Sequence, residues 1–166
     1  MHYGSGEKEQ RYKVMEKEYK FNGWKNVSGV RAVDTAYTGV DTPLDLYDRL
    51  SDVWCVETCA PRLRSVWSEK NKTCGQCSIT AFLVQDIFGG EVYGLLTEQG
   101  DMHCYNKVGD IVFDLASEQF GRKAASLVYD CSLLQDRESE IHFADKDKRE
   151  RYELLKSKLL AECSMK

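Results

Sequence analysis

Between Ile79 and Phe88 the apolar residues Ile79, Ala81, Phe82, Leu83, Val84, Ile87 and Phe88 cover most of a helix circumference instead of a single stripe. A helix apolar nearly all round is stable only when protein surrounds it. Whatever fold the chain adopts is therefore built around this segment. Gly89-Gly90 ends it, because glycine accepts the left-handed conformation that closes a helix C-terminus. The 166 residues fit one domain, and a chain of this size buries roughly two thirds of its unfolded surface without needing staples.

Cys77 opens the same helix. In the run Cys74-Gly75-Gln76-Cys77-Ser78-Ile79-Thr80-Ala81 a glycine-containing approach turns into the apolar segment. The thiol then sits against unpaired backbone N–H groups and the positive end of the helix dipole, both of which favour thiolate. A lone cysteine on an apolar helix is ordinarily an inert buried thiol. Partners are needed to make it a nucleophile.

Those partners lie in the strand-rich part that follows. The expected strands are 91–96, 102–106 and 111–115, separated by turns at Gly100 and Gly109. A loop made of Val108-Gly109, or of residues 107–110, places Asn106 opposite Ile111 and His103 opposite Asp114. Directly opposed side chains on antiparallel strands share a face, with Cβ atoms about 4.5–5.5 Å apart. A three-residue loop would shift the register by one and separate them. With the pair formed, His103 takes the Cys77 proton and Asp114 fixes the imidazole tautomer. The Cys77 backbone N–H and an amide from Gln76 or Asn71 would serve a tetrahedral oxyanion.

A rival use of the thiols is a zinc site, since Cys55, Cys59, Cys74 and Cys77 form C-x3-C-x14-C-x2-C. It would consume the nucleophile. Against it, Cys55 reads as a continuation of the preceding helix, and the apolar run after Cys77 is unlike a zinc-knuckle turn. Seven cysteines cannot all pair within one chain, so reduced thiols are expected.

The rest of the chain frames this centre. Residues 1–41 read as an N-terminal extension, with a hairpin at 19–24 on the Asn22-Gly23 turn, and 42–166 as the domain. Thr42, Pro43 and Asp45 give a helix start, with Leu44, Tyr47, Leu50, Val53 and Trp54 at helical spacing. Residues 62–72 form a polar connector anchored by Trp67. A strand is expected at 125–129, and a charged amphipathic helix at about 145–162 buries Tyr152, Leu155 and Leu159. The architecture is α+β, a central helix packed on a small antiparallel sheet.

Composition excludes several classes. The net charge of −4 comes from 27 acidic and 23 basic residues mixed along the chain, which gives no field for holding a polyphosphate backbone, so nucleic acid is not an expected partner. No apolar run approaches the ~20 residues that span a bilayer. The polar first twenty residues lack a secretory h-region, and the expected location is cytoplasmic. The reading calls for no cofactor.

The motifs Leu46-Tyr47, Trp67-Ser68, Gly75-Gln76-Cys77, Val84-Gln85-Asp86, Phe88-Gly89-Gly90, His103-x-Tyr105-Asn106 and Asp114-Leu115-x-x-x-Gln119-Phe120, with Arg151-Tyr152-x-Leu154-Leu155-Lys156, resemble the YunG-like family over about 42–160. The order Cys, His, Asp is in turn similar to the papain-like and transglutaminase-like superfamily, where a cysteine opens the central helix against a sheet bearing His and Asp. That resemblance implies Cys77, His103 and Asp114 as the catalytic set, with Asn106 as an alternative orienting group. It implies hydrolysis or acyl transfer on a peptide, amide, thioester or small-molecule substrate. A catalytically inactive binding domain of the same fold is the alternative. Cys104-Tyr105 departs from the aromatic pair expected after the histidine, which bears on the pocket and not on the three residues.

Overall fold

Helix α1, Pro43–Ser51, starts where the sequence places it. The Asp45 carboxylate accepts the backbone N–H groups of Asp41 and Thr42, both at 3.0 Å, satisfying donors that a helix start leaves open. The helix stops at Ser51, so Cys55 lies beyond it and not on its last turn, contrary to expectation. Trp54 explains the stop: its backbone folds back onto Leu50 O, and its buried indole N–H donates to Thr80 Oγ1 at 3.1 Å, pulling the chain toward the next helix.

The structure is a computed structural model that describes residues 17–165. Helix α2 runs Cys77–Phe88, as the sequence predicts, with Ile79, Phe82, Leu83, Val84 and Ile87 wholly inaccessible. It packs against the sheet and against helix α3, Lys146–Met165, which buries Tyr152, Leu155 and Leu159 together with Arg151 and Cys163. Among the described residues no helix is long and apolar enough to cross a membrane. The class is α+β, as expected.

The sheet has the order β3-β2-β1-β4, with β1 Glu91–Leu96, β2 Met102–Val108, β3 Ile111–Phe113 and β4 Leu133–Leu134, all paired antiparallel. The hairpin register differs from the expected one by two residues: Asn106 faces Phe113 and Val108 faces Ile111. The loop is thus Gly109-Asp110, and Gly109 at φ +59° takes the left-handed turn position that favours glycine. A shift of two preserves which face each side chain occupies, where a shift of one would not. His103 and Asp114 therefore still share a face, now as diagonal neighbours.

The expected strand at 125–129 is absent. A 3-10 stretch, Ser117–Ser126, kinked at Gly121, occupies part of it, and the fourth strand comes later at Leu133–Leu134. A Cβ at Gly94 on β1 would collide with Met102 Sδ on β2 and lie 2.9 Å from the Gln135 side-chain amide, so the position is closed to a side chain.

Residues 17–41 contribute to the core. Phe21, Val27, Val30, Tyr37 and Val40 are buried in the same core as α2, and Val33 N–H donates to Ile87 O at 2.7 Å. The hairpin expected at 19–24 does not form. Gly23 at φ +85° leads instead into a 3-10 turn, Trp24–Asn26, while Asn22 bridges to Asp114. A Cβ at Gly23 would lie 2.5 Å from Val112 O, so the segment rests directly on the strand that delivers Asp114.

Candidate active site

The approach to Cys77 is set by Gly75. At φ +71° it lies so close to the 59–60 turn that a Cβ would meet Cys59 Sγ at 2.5 Å, and its carbonyl accepts Ala60 N–H at 3.0 Å. This contact fixes where α2 begins. Cys77, the first residue of that helix, is partly exposed at the wall of a groove of about 690 Å³ that is also lined by His103, Gln119 and Phe120.

His103 is buried on β2 and Asp114 is buried just past β3. His103 Nε2 and Asp114 Oδ2 are 2.5 Å apart, leaving Nδ1 as the ring nitrogen available to the thiol. Asp114 is itself held from three sides. Its Oδ1 accepts Ala116 N–H at 3.0 Å, its Oδ2 accepts the Tyr129 hydroxyl at 2.7 Å, and its backbone N–H donates to Asn22 O at 3.0 Å. The edge of the His103 ring contact with Phe120, at 4.7 Å between centroids, completes the packing.

Electrostatics separates Cys77 from its neighbours. Burial pushes the thiols of Cys59, Cys74, Cys104 and Cys163 above the ordinary range. Burial also opposes ionisation of Cys77, yet the His103 charge, a hydrogen bond from His103 and one from the Cys104 backbone outweigh it and pull the thiol down. For His103, burial disfavours the imidazolium, but Asp114 and Cys77 prevail and raise it to about 10. The two shifts are mutual: each group favours the charged form of the other.

The amides proposed for the oxyanion are otherwise engaged. Gln76 is fully buried with Nε2 donating to Cys55 O at 3.0 Å, and Asn71 Nδ2 donates to Gln119 O at 3.3 Å from a separate depression beside Tyr47 and Glu118. Asn106 Nδ2 donates to Ala81 O at 2.9 Å, tying β2 to α2, while the partner of His103 Nε2 is Asp114. Two residues in contact with the His103–Asp114 pair lie outside the expected set. Gln119 lines the groove with Nε2 3.4 Å from His103 Nδ1, and Tyr129 holds Asp114. Gln119 was visible as part of the Asp114-to-Phe120 motif. Nothing in the sequence marks Tyr129.

The zinc reading has no geometry to rest on. Cys59 and Cys74 are neighbours, but Cys55 turns to Thr58 and Cys77 to His103. Among the described residues no group of three His, Cys, Asp or Glu side chains is placed to hold a metal ion.

Tyr129→Phe removes one donor from a buried carboxylate while keeping the ring that packs edge-on against Tyr105. The expected loss in denaturant unfolding is about 1.5–3 kcal/mol, the range for a hydrogen bond to a charged group. An unchanged midpoint would mean that the hydroxyl does not support Asp114.

No solved structure matches the chain. Among curated proteins it is 41% identical over 56 residues to "Uncharacterized protein YunG" of Bacillus subtilis (strain 168), a match covering 34% of this chain and 48% of the relative. The chain thus spans about half the length of the curated relative it matches. The family model described as YunG protein matches residues 42–164, from the start of α1 to the last turn of α3, and the chain belongs to the YunG family.

Proposed function

We propose that this chain is a cysteine-dependent hydrolase or acyltransferase of papain-like or transglutaminase-like architecture, acting on an amide or thioester. The observation that carries the reading is the placement of Cys77, first residue of α2, in one groove with His103, whose Nε2 lies 2.5 Å from the Asp114 carboxylate; the lowering of Cys77 by His103 agrees with it. The cysteine-opened helix lying on a sheet that bears His and Asp supports the architectural half. Seven free thiols suit a reducing compartment, which we take to be the cytoplasm.

In the first step the Cys77 thiolate attacks the acyl carbon, forming the S–C bond and an oxyanion. The helix N-terminus at Cys77 offers backbone N–H groups to that charge. As the bond to the leaving group breaks, His103 passes it the proton, leaving a thioester and neutral imidazole. His103 then takes a proton from water or an acceptor amine, the new nucleophile adds, the C–S bond breaks and the thiolate returns. Asp114 keeps Nε2–H engaged throughout, so that Nδ1 performs both transfers.

The pH dependence follows from the two shifts. Thiolate is lost as pH falls through the lowered Cys77 value, and the leaving-group acid is lost as pH rises through about 10, the His103 value. Acylation by p-nitrophenyl acetate, followed by intact mass, is expected to place one acetyl group on Cys77 across that window. The acid limb should lie below the ordinary thiol value of about 8.5; p-nitrophenolate leaves without a proton, so the alkaline limb near 10 is read with an anilide, whose leaving amine needs one. A Cys77 that titrates as an ordinary thiol and forms no acyl adduct would leave the inactive binding domain as the better reading.

A further inference from the structure

Opposite Cys77, the groove is walled by the first turns of α3, and its fixed charges do not all cancel. Arg62 pairs with Asp101 at 3.5 Å and Arg151 with Asp147 at 2.9 Å. Lys148 and Asp145 remain. Asp145 caps the helix, its Oδ1 accepting Asp147 N–H at 3.1 Å, and acts on Lys148 only at longer range. Among the described residues no carboxylate lies within ion-pairing distance of the Lys148 ammonium.

That ammonium is held by a relay behind the groove. Gln135 Nε2 donates to Leu133 O at 3.0 Å, which turns Oε1 toward His142 Nε2 at 2.8 Å. His142, buried edge-on against Phe82, therefore carries its hydrogen on Nε2 and presents the lone pair of Nδ1 to Lys148 Nζ at 3.3 Å. A second Lys148 hydrogen goes to Ile141 O. An ammonium has three N–H donors, so one is left over on a partly buried side chain in the groove wall. Lys148 and Cys77 line the same groove, and burial lowers the Lys148 pKa.

We propose that Lys148 anchors a carboxylate of the substrate, so that the groove takes small acyl compounds bearing a free carboxylate near the bond that Cys77 attacks. This rests on the assignment of Cys77 as nucleophile. One remaining donor suits a monoanion, and the nearby Asp145 and Asp147 disfavour a phosphate dianion. The relay supplies specificity by aiming the charge, and Asp101 and Asp147 are kept from competing for it by their own arginines.

Iodoacetate and iodoacetamide test this directly, because they alkylate the same sulfur and differ in a carboxylate against a neutral amide. Rates at Cys77 are read by peptide mass spectrometry on the full chain. Lys148→Met is expected to lower the iodoacetate-to-iodoacetamide rate ratio about tenfold, as for losing a charge-assisted hydrogen bond, while Lys148→Arg keeps it within about threefold. Taking the ratio removes any general effect of the substitution on thiolate population or folding. An unchanged ratio in Lys148→Met, with Cys77 still alkylated rapidly by iodoacetamide, overturns the anchor alone. Slow alkylation of wild-type Cys77 by iodoacetamide, following an ordinary thiol titration, overturns the nucleophile and the anchor with it.

Discussion

Replacing His103 with alanine is expected to slow alkylation of Cys77 by iodoacetamide at pH 6 by at least about a hundredfold, since an ordinary thiol with a pKa near 8.5 is less than about 1% thiolate there. In the native protein burial works against the Cys77 anion, and the His103 charge is the largest influence opposing it. Without that charge the burial cost stands uncompensated, and Cys77 joins Cys59 and Cys104 above the ordinary range. The alanine variant also strips Asp114 of its cation, and breaking a buried pair costs about 3–5 kcal/mol. His103→Gln separates the two effects, because its amide can still donate to Asp114 without supplying charge. Both variants should lose reactivity at pH 6 and regain it only well into the alkaline range, as for the buried thiol of Cys59, which is pushed up to about 11. A rate within about twofold of wild type in either would show that the helix terminus alone accounts for the thiolate.

How much of this was legible in the sequence depends on how local each signal was. The bounds of α2 were readable to the residue, because an all-round apolar segment between Cys77 and Gly89 permits few other solutions. The meeting of His103 with Asp114 was readable for a subtler reason. The turn was misplaced by one residue, which shifts the pairing by two, and because strand periodicity is two the error left both side chains on one face. The failures were tertiary. Leu133–Leu134 is a strand through its pairing with Tyr93 and Gly94 of β1, a contact about forty residues away in the chain that a two-residue segment does not announce. Gln76, Asn71 and Asn106 each had the right chemistry for the site. They are occupied by Cys55 O, Gln119 O and Ala81 O, partners 21, 48 and 25 residues away that no spacing rule reaches. The Gln135–His142–Lys148 relay is invisible for the same reason, being a loop fastened to a helix start by side chains.

Phe21→Ala should lower stability by about 3–5 kcal/mol, the usual cost of emptying a buried phenylalanine site. Phe21 is fully buried, its ring 5.9 Å from that of Tyr19 and 5.0 Å from that of Tyr47 on α1, although it belongs to a segment whose sequence shows little periodicity. Val33, in the same segment, is 72% exposed, and Val33→Ala should stay within about 0.5 kcal/mol of wild type. The contrast matters for the site because the residue after Phe21 is a strut beneath it. Asn22 O accepts the Asp114 backbone N–H, and Asn22 N–H donates to Ser117 Oγ at 2.9 Å. A cavity at position 21 loosens that strut, so Phe21→Ala should also slow Cys77 alkylation at pH 6 under conditions where the protein remains folded, by weakening the hold of Asp114 on His103. Equal melting of the two variants would detach the segment from the core, and a destabilised Phe21→Ala with unchanged Cys77 reactivity would show that Ala116 and Tyr129 suffice to hold the carboxylate.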